Sequence, residues 1–302
     1  MNVDDLLGVE RRIQRDRGAV MQRIRSSSWV SVALLATVLW AQGPSQFHPG
    51  FNLFSKDQDV QLGKESAEQV RKQMTVIKDP VLTDYVNRVG KRLVSAREAQ
   101  ESGFPFTFEV VADPSINAFA LPGGPMFINT GLLRAVDNEA QLAGVMGHEM
   151  SHVILRHGTN QASKSQLIQL PAVLGSQVAG GSMLGRLTQL GIGLGANSVL
   201  LKFSRTAESQ ADLMGSHLMA ESGYNPIEMA RFFDKLNAEG GQRAPQFMSD
   251  HPNPENREKA IQEEIQKLPQ KNYGYQTGQF QRMKQVVAGI REPKPKQAAP
   301  GQ

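Results

Sequence analysis

Residues 138–157 of this 302-residue chain form one helix-length block, and Glu149 is the only Asp, Glu, Lys or Arg between Glu139 and Arg156. Leu142, Val145, Met146 and Val153 recur at helical spacing, Asp137 and Asn138 offer a cap, and Gly158 offers a stop. Within that apolar helix lies HExxH: His148, Glu149 and His152. Histidines four apart share one helix face, so both imidazoles can reach one Zn²⁺ at roughly 2.0–2.1 Å. The glutamate between them is placed to take a proton from a water activated by the metal. Burying these three groups without partners would cost several kcal/mol, which argues against a merely structural core helix.

A catalytic zinc takes three protein ligands and leaves a fourth position open. The chain has no cysteine, so the third ligand is a histidine or a carboxylate. A second helix is predicted over residues 204–221, with Glu208 and Asp212 four apart on one face. Glu208 suits the third ligand. Asp212 can bond the free ring nitrogen of a ligating histidine and fix its tautomer. A solvated helix face would explain Glu208 and Asp212 alone, but not beside an HExxH helix.

Four blocks then carry a resemblance: SINAFALPGGPMFINTGLL (115–133), GHEMSHVILRHG (147–158), SRTAESQAD (204–212) and HPNPENR (251–257). In order and spacing the chain resembles the CAAX prenyl protease and HtpX-like zinc metallopeptidases, which are gluzincins. The similarity spans about residues 51–269. It is nearest to soluble periplasmic BepA-like members, matched without their long tetratricopeptide extension. The resemblance implies one Zn²⁺ per chain on His148, His152 and Glu208, Glu149 as general base, and Asp212 behind a ligand. It also implies that His251 and Arg257 lie near the active site. Two roles are open to His251: donor to the oxyanion of the tetrahedral intermediate, or occupant of the fourth zinc position that keeps the enzyme latent. In the gluzincin arrangement an extended substrate pairs with an edge strand. Asn117, Ala118, Phe119 and Ala120 are the candidate edge, with Asn117 gripping the substrate backbone or capping a turn.

The rest of the chain predicts an α+β fold, mostly helical, with a small sheet beside the zinc helix. Ser55 and Gln58 have capping-box spacing before a helix. A second helix is expected over 80–95, strands over 106–111, 118–121 and 125–129 with a Pro122-Gly123-Gly124 turn, and later helices over 225–236, 254–268 and 276–290. Residues 162–203 mix aliphatics with seven glycines and read as tightly packed helices, a mobile lid, or a surface for peripheral membrane or unfolded-protein contact.

Residues 1–41 carry Arg23 and Arg25 ahead of an apolar run at 28–40, the size of a signal-peptide core. Residues 1–20 are atypical and suggest a start codon set too early, with Met21 as the true one. The metallopeptidase domain is then expected over 42–290, followed by a disordered tail over 291–302. Without residues 1–41 the chain has 27 basic against 25 acidic residues, which is no nucleic-acid-binding signature. The expectation is a zinc endopeptidase of the periplasm or cell envelope cleaving unfolded or misassembled proteins. The alternative is a periplasmic chaperone or assembly factor on a latent protease fold. Oligomeric state is not legible.

Overall fold

The computed structural model describes residues 47–173, 203–239, 246–252, 256–268 and 272–292. The 28–40 run, most of the glycine-rich 162–203 segment and the tail beyond Glu292 lie outside these residues. Helix α1 (Lys56–Gln73) opens on the expected capping box: Gln58 N donates to Ser55 Oγ and Ser55 N to the Gln58 side chain. Strand β1 (Val76–Ile77) follows, then α2 (Pro80–Val94), whose start is capped by Asp79. Leu82, Tyr85, Val86, Val89 and Leu93 form its buried stripe.

After a short α3 (Arg97–Ser102) come β2 (Thr107–Val111), β3 (Ala118–Ala120) and β4 (Pro125–Asn129). The sheet order is β1-β2-β4-β3; β2 and β4 run parallel, the outer pairs antiparallel. β3 is therefore an edge strand. Gly123 in the β3–β4 turn has φ +78° and abuts α1, where an added Cβ would meet Val60 Cα at 2.4 Å. Only glycine fits both demands.

A one-turn helix α4 (Thr130–Ala135) leads to α5 (Glu139–Ile154), the HExxH helix, capped by Asn138 accepting from Gln141 N. Every residue of α5 except Ala140 is buried. The expected run to His157 is corrected here. α5 ends at Ile154 with Leu155 as its C-cap, Arg156 takes a left-handed φ of 57°, and α6 (His157–Val173) begins at once, with Gly158 inside it. The turn sits two residues earlier because Arg156 donates to Asp59 Oδ2 (2.6 Å) and Phe54 O (2.5 Å), which fixes its backbone from outside the helix.

Five more helices complete the described chain: α7 (Arg205–Glu221), α8 (Ile227–Glu239), α9 (Gln246–Asp250), α10 (Arg257–Lys267) and α11 (Phe280–Gly289). The main core lies between the sheet, α2, α5, α7 and α8, and includes Tyr85, Ile128, Met146, Met219, Phe232 and Phe233.

Candidate metal centre

α5 and α7 approach closely because glycines face each other. A Cβ on Gly215 would sit 3.1 Å from His148 N, and one on Gly147 would sit 3.4 Å from Gly215 O. This contact lets the short carboxylate side chains of α7 reach the histidines of α5. Ser204 starts α7 by accepting from Ala207 N, which puts Glu208 in its first turn.

His148, His152, Glu208 and His251 converge, all buried, with one donor atom from each within 4.8 Å of the others. Among the described residues they are the only such group able to hold a metal. His148 Nε2 lies 3.0 Å from His152 Nε2 and 3.2 Å from Glu208 Oε2; His152 Nε2 lies 3.5 Å from Glu208 Oε1. His251 Nδ1 is 3.3 Å from His148 Nε2 and 3.2 Å from Glu208 Oε1. Tetrahedral bonds of the zinc–nitrogen or zinc–oxygen length put donors about 3.3 Å apart. The spacing and the nitrogen-rich donor set fit zinc. Buried Glu208 and Asp212 share the Arg257 guanidinium, and the Glu149 carboxyl lies beside His251, so carboxyl oxygens as well as imidazoles surround the site.

His148 Nδ1 donates to Asp212 Oδ1 (2.9 Å), which turns its Nε2 lone pair inward. Arg257 Nε donates to Asp212 Oδ2 (2.6 Å), its Nη2 lies 3.5 Å from Glu208 Oε2, and its guanidinium covers the Phe233 ring at 4.3 Å. Burial opposes charge on His148, but Asp212 and Glu208 outweigh it and raise its pKa to about 9. Burial pushes His152 well below the usual histidine range. Burial would raise Glu208, yet His251, His152 and His148 hold it well below the carboxylate range.

Glu149 Oε2 accepts from Ala120 N at 3.2 Å. Its Oε1 is buried without a hydrogen-bond partner, although His251 Nε2 is 3.2 Å away. Burial raises the Glu149 carboxyl, with His251 and His148 opposing. Along the edge segment, Asn117 O accepts from Asn129 N and Leu121 N donates to Pro125 O. Residues 117 and 121 thus bond inward to β4, and by alternation the main-chain groups of Ala118 and Ala120 face the open edge, towards Glu149. Phe119 pairs with Phe127 and stacks on its ring. The Asn117 side chain donates to Asp250 Oδ2 (3.3 Å), and its buried Oδ1 has no partner.

Of the residues singled out from sequence, the structure brings together His148, Glu149, His152, Glu208, Asp212, His251 and Arg257, with Ala120 bonded to Glu149, whereas Phe119 packs on Phe127 in a separate cluster. Phe203, stacked on His152 at 3.9 Å, and Phe247, stacked on His251 at 4.5 Å, were not singled out and carry no motif signal. His157 was also passed over, although a third histidine five positions past His152 was a visible signal. Its Nδ1 lies 2.9 Å from His152 Nδ1, and burial lowers its pKa to about 4 against the opposing hydrogen bond to Gln210 Oε1.

A small sheet with its edge strand against an HExxH helix, and a glutamate delivered by a following helix, define a gluzincin-type metallopeptidase fold. Residues 80–265 match the model of Peptidase family M48, more than half of the chain, and the protein belongs to that family. M48 metalloproteases are zinc-dependent. The chain is 32% identical over 246 residues to the beta-barrel assembly-enhancing protease of Escherichia coli K12, covering 74% of this chain and 50% of that protein. It is 33% identical over 210 residues to the protein of that name from Yersinia pestis (67% and 43%). It is 30% identical over 221 residues to the mitochondrial metalloendopeptidase OMA1 of Schizosaccharomyces pombe (70% and 63%). The chain thus spans about half the length of the bacterial relatives it matches. Among the described residues no helix is long and apolar enough to cross a membrane.

Proposed function

We propose that this protein is a zinc endopeptidase of the cell envelope, with one zinc ion held by His148, His152 and Glu208. The observation that carries the reading is the set of donors about one zinc-tetrahedron edge apart, with the Glu149 carboxylate beside them. Bound zinc supplies Lewis acidity to a water and to the scissile carbonyl. Glu149 accepts the water's proton and passes it to the leaving amine. The edge groups of Ala118 and Ala120 bind an extended backbone, with Asn117 at its end. That main-chain recognition selects for unfolded rather than particular sequences. Arg257 and Asp212 hold Glu208 and His148 in place.

The 28–40 apolar run after Arg23 and Arg25 supports export to the periplasm through a signal peptide over 1–41, leaving a protease domain over 42–290 and a tail over 291–302. The bacterial relatives' name supports misassembled envelope proteins as clients. A latent, chaperone-like state is the second reading. It is favoured by His251 Nδ1 standing at donor distance from both His148 and Glu208. In addition, α9 is pinned over the edge segment by Phe247 N donating to Ile116 O.

The test is cleavage of an unfolded protein, and of an N-terminally blocked peptide, by the zinc-loaded protein. Glu149→Gln should lose about 10²–10⁴-fold in kcat while keeping zinc. Equal cleavage by both proteins overturns the reading. His251→Ala in the same assay raises turnover if His251 latches the site and lowers it if His251 serves the oxyanion.

A further inference from the structure

We infer that His157 is the positioning residue for His152, setting its tautomer through a neutral His152–His157–Gln210 chain while His148 is set by a carboxylate. The inference rests on the metal-site reading and deepens it. In an unbroken helix, residues five apart lie about 140° apart around the axis and do not meet. The left-handed Arg156 breaks α5 from α6 and brings the His157 ring back over His152, their centroids 4.9 Å apart. The two Nδ1 atoms stand 2.9 Å apart, so one carries a hydrogen and the other accepts it.

The proton assignment closes in only one way that leaves His152 a ligand. His152 Nε2 faces His148 Nε2 and Glu208, so its lone pair points there and its hydrogen sits on Nδ1. That hydrogen is donated to His157 Nδ1. The His157 hydrogen is then on Nε2, and Gln210 Oε1 accepts it at 3.2 Å. Reversing the chain would put a hydrogen on His152 Nε2, where the metal binds. Gln210 lies two positions after Glu208 on α7, so one helix supplies a ligand and orients another.

The two ligating histidines are thereby made unlike. The Asp212 carboxylate makes His148 the stronger donor to a cation. His152 is backed by a neutral ring, which orders it without adding negative charge to a centre already crowded with carboxylates.

The test uses the whole protein and two readouts: zinc affinity by chelator competition, and histidine tautomers by long-range ¹H–¹⁵N correlation in metal-stripped protein. His157→Phe should lose about 10–100-fold in zinc affinity, and His152 should lose its pure Nδ1–H form. His157→Asn places an amide oxygen near the Nδ1 position and should recover most of the loss. Gln210 is exposed, so its variants leave the fold intact. Gln210→Glu, which still accepts, should hold zinc as wild type does, and Gln210→Lys, which only donates, should not. Wild-type affinity and tautomer in His157→Phe, no recovery in His157→Asn, or equal affinity in the two Gln210 variants overturns the inference. Wild-type zinc binding by His148→Ala would instead sink the metal site itself.

Discussion

Replacing Arg257 by methionine tests how the buried charge around the centre is balanced. The guanidinium is enclosed, bonds Asp212 at 2.6 Å, lies 3.5 Å from Glu208 and covers Phe233 at 4.3 Å. Methionine keeps much of the contact with Phe233 but leaves Asp212 Oδ2 without its donor. Breaking one side of a buried ion pair costs about 3–5 kcal/mol, or roughly 6–20 °C in Tm for a domain of this size. Arg257→Lys keeps the charge but loses the fork and the planar stacking, so it should fall between wild type and Arg257→Met. Adding Asp212→Asn to Arg257→Met removes the uncompensated charge and should recover at least about 1 kcal/mol relative to additivity. Urea unfolding of wild type, Arg257→Met, Asp212→Asn and the double variant measures the cycle. A single-variant loss under about 1 kcal/mol, or strict additivity, refutes the reasoning.

Metal removal should also show in stability. Zinc at a hundredfold excess over its Kd is worth about 2.7 kcal/mol, so chelation should lower Tm by about 5–11 °C. Stoichiometric zinc should restore it where magnesium does not, and an unchanged Tm counts against the centre. Away from it, His217 Nε2 lies 2.7 Å from Glu264 and Nδ1 3.7 Å from Glu98; burial opposes its charge, but the two carboxylates outweigh it and raise its pKa. That stability is complete below the unfolded histidine value of about 6.5 and is lost as pH rises through the raised folded value. Between pH 6 and 9 the wild-type Tm should fall more than that of His217→Gln, and parallel profiles refute the link.

Features whose cause is local were legible. Asn138 and the Ser55/Gln58 box cap helices in the sequence as they do in the structure, because a cap acts within three residues. The three longer strands and the HExxH face follow from periodicity. Strand β1, two residues long, and the six-residue α3 and α4 are too short to show a period. The break at Arg156 was misplaced at Gly158 because its cause lies about a hundred positions away, at Asp59 and the Phe54 carbonyl. That His148, His152 and Glu208 could converge was legible from spacing, but the approach of His251 to Glu149 and the bond from α9 to Ile116 depend on packing that no local pattern encodes.

The α5–α7 contact has a topological consequence. His148 and Glu208 are sixty positions apart, and an ion joining them closes that stretch into a loop. By the chain-entropy argument for a cross-link of this span, the constraint on the unfolded chain is worth about 4 kcal/mol. In a sequence without cysteine, an ion held there would serve as the cross-link that other domains draw from a disulfide. Loop closure grows only slowly with length, about 0.6 kcal/mol per doubling. On this entropy term alone a change of length between α6 and α7 would cost little, while the spacing from His148 to His157 and from Glu208 to Asp212 is fixed by the contacts those residues make.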